Sequence, residues 1–112
     1  RLAQVFINLI SNARKYCDAK DPKLRIKVGR INGKYIVDFI DNGTGIPAGS
    51  QQVIFEKFSR IADQSKAGGA GLGLAICREI MERLGGQISY LPGQGGTAFR
   101  VILPSAAILA NR

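Results

Sequence analysis

The sequence predicts an α+β fold, a two-layer sandwich with a mostly antiparallel sheet and helices on one face. Three observations carry that expectation. Strand-like alternation comes in two adjacent pairs, each joined by a glycine-containing turn. Helical spacing recurs before the first pair and between the two. Strands that enter as hairpins pair antiparallel and leave one sheet face for the helices to cover. At 112 residues, with no internal repeat and no linker, the chain is one small domain with a single core.

The elements follow in order. In "LAQVFINLISNARKYC", residues 2–17, Leu2, Val5, Phe6, Leu9 and Ala13 fall at helical spacing. "KLRIKVGR" (23–30) and "KYIVDFID" (34–41) alternate as strands, and Asn32-Gly33 between them is a strong hairpin signal. Residues 50–58 have the look of a short helix, and 59–71 are polar, small and loop-like. "LGLAICREIMERL" (72–84) is helical again, with Gly85-Gly86 as its cap. "QISYL" and "TAFRVILP" are two further strands around the glycine-rich turn 93–96.

Composition removes several classes of chemistry. There is no histidine, so no Ser-His-Asp or Cys-His catalysis and no histidine metal site. Cys17 and Cys77 fit no metal-ligand spacing and sit among apolar residues, as buried free thiols in a reducing compartment do. No apolar run approaches the roughly 20 residues that span a bilayer, and Arg1 opens directly inside an amphipathic pattern, so no signal peptide is expected. The net charge of +8 suits an anionic partner, but the basic residues are spread out and not interleaved with aromatics, which argues against nucleic acid.

Three stretches point to a ligand. Tyr35, Val37 and Phe39 share one strand face, and Asp41 continues it, placing a carboxylate at the rim of the core. Gly43 and Gly45 after it allow a sharp turn and close approach of another molecule, although Asn42-Gly43 alone occurs in many surface turns. On the first helix Asn8, Asn12 and Lys15 form a polar stripe at i, i+4 and i+7. Amide oxygens can ligate a hard cation and lysine can hold phosphate, whereas an ordinary solvated helix edge would look the same. In "GGAGLGLAI", Gly68–Ile76, a glycine-rich loop runs into a helix whose first N–H groups can meet an anion. The stretch lacks the G-K-[ST] of a P-loop and the spacing of a dinucleotide fingerprint, and without H-R-D or D-F-G the chain is no eukaryotic-type protein kinase.

Taken in order, these stretches resemble one family. "NLISNARKY" looks like its N box, "DNGTGIP" its G1 box, "FEKF" its F box, "GAGLGLAI" its G2 box and "GGTAF" its last glycine box. The family is the ATP-binding catalytic domain of sensor histidine kinases, of the Bergerat fold shared with gyrase B, Hsp90 and MutL, and the match runs from Leu2 to about Pro104. The resemblance implies a mixed, mostly antiparallel sheet. It also implies roles for named residues. Asp41 would accept a hydrogen bond from the adenine amine, with Gly43 and Gly45 passing close to the base, Ile46 and Phe99 as apolar walls and Thr97 bonding beside it. Asn12 would ligate Mg²⁺, Lys15 would meet the phosphates, and Tyr16 would lie against the purine or ribose. Gly69, Gly71, Leu72, Gly73 and Leu74 would form the phosphate-binding turn and helix start. Residues 48–68 would be a mobile ATP lid pinned by Phe55 and Phe58, with Arg60 near the γ-phosphate. Asn8 stands where ATP-hydrolysing relatives carry a glutamate, and an amide cannot serve as that general base.

The resemblance therefore implies a protein-histidine kinase domain using ATP and Mg²⁺, with a separate dimerisation and phosphoacceptor domain and a response regulator as partners. The expected setting is cytoplasmic, without membrane contact by this domain, inside a homodimeric and sometimes membrane-anchored parent. Ala70 departs from the usual Thr or Ser, removing one phosphate hydrogen bond. The chain starts at the N-box helix, so the strand that precedes it in the family and the histidine-bearing hairpin lie outside it, as in a fragment of a larger kinase. Two alternatives share the fold: a degenerate nucleotide-binding module that signals by protein contacts, and an anti-sigma-factor serine kinase.

Overall fold

The structure, a computed structural model, describes residues 2–51, 53–55 and 73–104. The first helix, α1, spans Leu2–Tyr16 and turns Val5 and Leu9 fully into the core, with Leu2 and Phe6 packed beside them. Arg14 and Lys15 in its last turn complement the negative end of the helix dipole. Strands β1 (Leu24–Ile31) and β2 (Lys34–Asp41) form the expected hairpin. Asn32 and Gly33 have φ of 52° and 77°, the pair of positive values that a type I′ turn needs to match strand twist.

Helix α2 (Leu74–Arg83) ends in a Schellman cap. Gly85 takes φ 80°, its N–H bonds the Glu82 carbonyl, and the Gly86 N–H bonds the Met81 carbonyl at 2.8 Å. Gly86 has a second reason to be glycine: a Cβ there would run into the Ile102 carbonyl and the Met81 side chain. Strands β3 (Gln87–Tyr90) and β4 (Ala98–Pro104) complete the sheet in the order β1-β2-β4-β3. Every pairing among the described strands is antiparallel, so the parallel member of a mixed sheet is not among them.

The inner face of the sheet carries Val37, Phe39, Phe99, Val101 and Leu103 against α1 and α2. Phe6 tilts onto Phe39 at 5.4 Å, and Phe55 meets Phe99 edge-on at 6.1 Å. On the opposite face Asp38 is buried and receives both Nε and Nη2 of Arg100, its cross-strand neighbour, at 2.8 and 2.9 Å. This forked pair satisfies the carboxylate in place of water.

The helix expected at 50–58 takes another form. Ala48–Ser50 and Val53–Phe55 are two short 3-10 turns, and 56–58 lie outside the described residues. Gly49 and the β-branched Val53-Ile54 pair oppose α-helix nucleation over so short a span. Burial of Ile54 and Phe55 holds this segment onto the core. Among the described residues no helix is long and apolar enough to cross a membrane.

Candidate functional site

Strand β2 ends with Asp41 on the inner face, 7% exposed, as its alternation requires. Its Oδ1 accepts the Gly43 N–H at 2.8 Å and the Thr97 N–H at 3.1 Å. Oδ2 has no donor among the described residues. The Asp41 N–H bonds the Thr97 carbonyl at 2.9 Å, so Thr97 is fixed beside the carboxylate from both ends of its peptide unit. Gly96 is pressed onto the Asp41 backbone so closely that any Cβ would overlap the Asp41 carbonyl. The glycine of the last box is therefore what lets β4 start against the end of β2.

After Asp41 the chain turns through Gly43 and Gly45, the latter at φ 90°. Ile46 is half-buried and packs on the core. Phe99 is core itself, 5% exposed, and reaches the site only through its neighbours Thr97 and Tyr90.

The polar stripe of α1 meets the start of α2 through Asn8. Asn8 is half-buried and its Nδ2 donates to the Cys77 sulfur at 3.4 Å. It also faces Gly73, where a Cβ would come within 3.6 Å of the same nitrogen. Gly73, at φ 70°, is the N-cap of α2 and offers no side chain, so the N–H groups of the first turn of α2 open next to Asn8. Leu74 contributes backbone only, since its side chain is 1% exposed in the core. Asn12 and Tyr16 are half-buried and Lys15 is exposed on the same helix. Burial pushes the Cys77 thiol pKa up, and the Asn8 bond opposes that in part. Cys17, expected to be buried, is half-exposed at the end of α1 and donates to the Asn42 Oδ1 at 3.4 Å.

The structure thus shows two local clusters. Asp41, Gly43, Gly45, Ile46 and Thr97 cluster at the sheet end, and Asn8 meets Gly73 at the start of α2. Arg60, Gly69, Gly71, Leu72 and Phe58 lie outside the described residues, as do 56–68 of the expected lid. Two residues at the sheet-end cluster belong to no motif. Asp18 accepts from both the N–H and the hydroxyl of Thr44, at 2.9 and 2.8 Å. Tyr90 accepts the Ile46 N–H on its hydroxyl oxygen at 3.2 Å. Neither shows a local pattern in the sequence, because each partner lies more than 25 residues away.

The chemistry of these clusters is distinct from that of an apolar groove on the same domain. A cavity of about 360 Å³ between α1 and β1 is walled by aliphatic and aromatic side chains, including Phe6, Ile10, Val28 and Phe39. Such walls cannot orient a polar ligand. Asp41 offers an acceptor, and the start of α2 offers donors with the Asn8 amide beside them. Among the described residues no three acidic, cysteine or histidine groups stand together as a self-sufficient metal site.

The family described as histidine kinase-, DNA gyrase B- and HSP90-like ATPase matches residues 1–107. Sensor protein KdpD of Escherichia coli (strain K12) is 44% identical over 103 residues, which are 90% of this chain and 11% of that protein. The catalytic domain of histidine kinase ThkA superposes with a TM-score of 0.78 at 33% identity, covering 92% of this chain and 65% of that one. ThkA in complex with response regulator protein TrrA gives a TM-score of 0.74 at 29% identity, over 96% of this chain and 29% of that one.

Proposed function

The chain belongs to the histidine kinase-, DNA gyrase B- and HSP90-like ATPase family, and from that premise we propose that it is the catalytic ATP-binding domain of a two-component sensor histidine kinase. Its task is to present the γ-phosphoryl of Mg-ATP to a histidine on a separate dimerisation domain. The observation that carries this is Asp41. One carboxylate oxygen is saturated by two backbone N–H groups, and the other has no donor among the described residues at a nearly buried site. A buried acceptor in that state favours a ligand N–H. The exocyclic amine of adenine supplies one, and guanine, with a carbonyl at that ring position, does not.

The residues present fit both groups. Adenine sits toward Asp41, Thr97 and Ile46. Asn8 stands eight residues before Tyr16, the last residue of α1, about 12 Å at helical rise, which leaves room for a ribose and phosphate chain between the purine end and the start of α2. Asn12, with Asn8 beside it, offers amide oxygens to Mg²⁺. Among the described residues no acidic cluster would hold the ion alone, so the phosphates would be co-ligands, which suits a cation that keeps few protein ligands. When bound, Mg²⁺ neutralises phosphate charge in the transition state. Lys15, the first-turn N–H groups of α2 and, in this proposal, Arg60 and the lid 48–68 add to that neutralisation. Tyr16 lies against the nucleoside, and Gly69, Gly71 and Leu72 complete the phosphate turn.

The chain's own part is positioning and charge, not proton abstraction. Asn8 cannot take a proton, so water is not activated here. The Pγ–O bond to the β-phosphate breaks, a P–N bond to the acceptor imidazole forms, and the imidazole proton passes to a base on the partner domain. The parent then passes the phosphoryl group to a response regulator, and the domain itself works in the cytoplasm, where ATP is held. The chain spans 11% of KdpD, so these partners are proposed for a longer protein.

The test is complementation. This chain and a separately made helical hairpin bearing the acceptor histidine are mixed with γ-labelled ATP. Acid-labile label on the hairpin, and none on this chain, is expected. Acid-stable label on either component would point to serine or threonine chemistry and overturn the assignment.

A further inference from the structure

We propose that the purine-side loop, 41–46, is set by a two-point clasp from outside the motifs, Asp18 on Thr44 and Tyr90 on Ile46, and that both are positioning residues for nucleotide binding. The inference rests on the nucleotide reading above. The loop itself has little to hold it in one shape. Gly43 and Gly45 make it free to bend, and a glycine loop loses the most entropy when fixed. Yet three of the four backbone N–H groups of 43–46 end on side-chain oxygens. Gly43 bonds Asp41 Oδ1, Thr44 bonds Asp18 Oδ1 at 2.9 Å, and Ile46 bonds Tyr90 Oη at 3.2 Å.

Each clasp residue is itself fixed. Asp18 lies just past α1, in a connection sewn to the loop by Asn42, which accepts the Lys23 N–H at 2.8 Å and donates to the Asp21 carbonyl at 3.0 Å. It holds Thr44 through both oxygens, the second taking the threonine hydroxyl at 2.8 Å. Tyr90 is the last residue of β3, and its ring stands edge-on to Phe99 at 5.7 Å, which aims the hydroxyl at the loop. The clasp atoms also touch the two glycines. A Cβ on Gly43 would lie 3.0 Å from Asp18 Oδ1, and one on Gly45 would lie 3.3 Å from Tyr90 Oη. The glycines of the box therefore make room for the protein's own clasp as well as for a ligand. Asp18 ties the loop to the helix that carries Asn12 and Lys15, and Tyr90 ties it to the sheet, so the purine end and the phosphate end keep one spacing.

Calorimetric titration of the 112-residue chain with adenosine and, separately, with magnesium tripolyphosphate tests this. Tyr90→Phe deletes one oxygen and keeps the ring packing. Thr44→Val deletes one hydroxyl, and Asp18→Ala removes both acceptors, with Asp18→Asn restoring one. Adenosine affinity should fall about five- to tenfold in Tyr90→Phe and more in Asp18→Ala, with Asp18→Asn between wild type and alanine. Tripolyphosphate affinity should stay within about twofold. Equal losses for both ligands would mean general loosening, and unchanged adenosine affinity would mean no role; either overturns the clasp. A wild-type chain that binds neither ligand would instead refute the nucleotide reading, and the clasp with it.

Discussion

Replacing Asp41 by asparagine separates what this residue does for the fold from what it does for a ligand. Asp41 Oδ1 holds two N–H groups, from Gly43 and Thr97. An amide can keep both bonds only if its oxygen takes the Oδ1 place, since the other orientation sets NH₂ against two N–H donors. Its NH₂ then replaces Oδ2. The loop and the start of β4 keep their acceptor, while an incoming adenine amine meets a donor where it needs an acceptor. A hydrogen bond to a charged group contributes about 1.5–3 kcal/mol, so adenine nucleotide affinity should fall roughly ten- to hundredfold. GTP should lose nothing and gain relative to ATP, because the amide can donate to the guanine carbonyl. Stability should change by less than about 1 kcal/mol, a shift of roughly 5 °C in a domain of this size.

Asp41→Ala gives the contrast. It strips the acceptor from two part-buried N–H groups at about 1–3 kcal/mol each, so the melting temperature should drop by roughly 10 °C or more. Calorimetric titration with ADP, ATP and GTP, beside thermal unfolding of both variants, reads all of this. If Asp41→Asn bound ATP as wild type does, or melted as low as Asp41→Ala, the division of labour between the two oxygens would be wrong.

Other consequences are simpler to state. Asn12→Ala should raise the Mg²⁺ concentration for half-maximal ATP binding by about tenfold or more while leaving metal-free ADP binding nearly unchanged; a titration at several Mg²⁺ levels measures it. Gly96→Ala should destabilise by more than about 2 kcal/mol, because the new methyl overlaps the Asp41 carbonyl and backbone must move; the urea midpoint should fall with the slope unchanged. The Cys77 thiol is raised in the fold chiefly by burial, so the unfolded chain loses that proton first as pH rises. The resulting stability is complete below the unfolded value, about 8.5, and is lost as pH climbs through the folded one. Wild type should therefore lose more stability between pH 7 and pH 10 than Cys77→Ala does, as urea unfolding at the two pH values would show.

What the sequence made legible is what local chemistry controls. Asn32-Gly33 and Gly85-Gly86 announce a turn and a cap because only such residues take those φ values cheaply. Alternation along 34–41 places Asp41 inward, and the structure finds it there. The 3.6-residue period finds α1 and α2 to within one or two residues at each end. The rest depends on partners distant in the chain. Alternation puts Asp38 on the outer face but is silent about Arg100, 62 residues on. A charge in mid-strand on both β2 and β4 was the signal for that pair, and it only becomes a pair once register is known. Asp18 and Tyr90 had no such signal, since a residue in a connection and a strand-end tyrosine are ordinary in either role. The helix expected at 50–58 gives way, over the described residues to 55, to short turns that tertiary burial of Ile54 and Phe55 holds in place.

The Asn8–Cys77 contact bears on how the N-box stripe should be read. Asn8 faces the opening of α2, where Gly73 leaves the helix start bare, and its amide nitrogen is engaged by the thiol beneath. That engagement turns Oδ1 away from Cys77, so the orientation of the amide is set by the core and not by a ligand. Removing Asn8 therefore does two things at once: it deletes an amide oxygen beside the start of α2 and strips a donor from a buried sulfur. Asn12, one turn further along α1, also has a contact of its own within the fold. A loss seen on removing either residue thus mixes packing with chemistry, and a change in Mg²⁺ dependence is the readout that separates the two. The same logic holds at the sheet end, where Thr97 is bound to Asp41 through its backbone and only its hydroxyl is left to speak to a ligand. In both places the backbone and core fix the geometry first, and the side-chain atoms left over define what the surface can recognise.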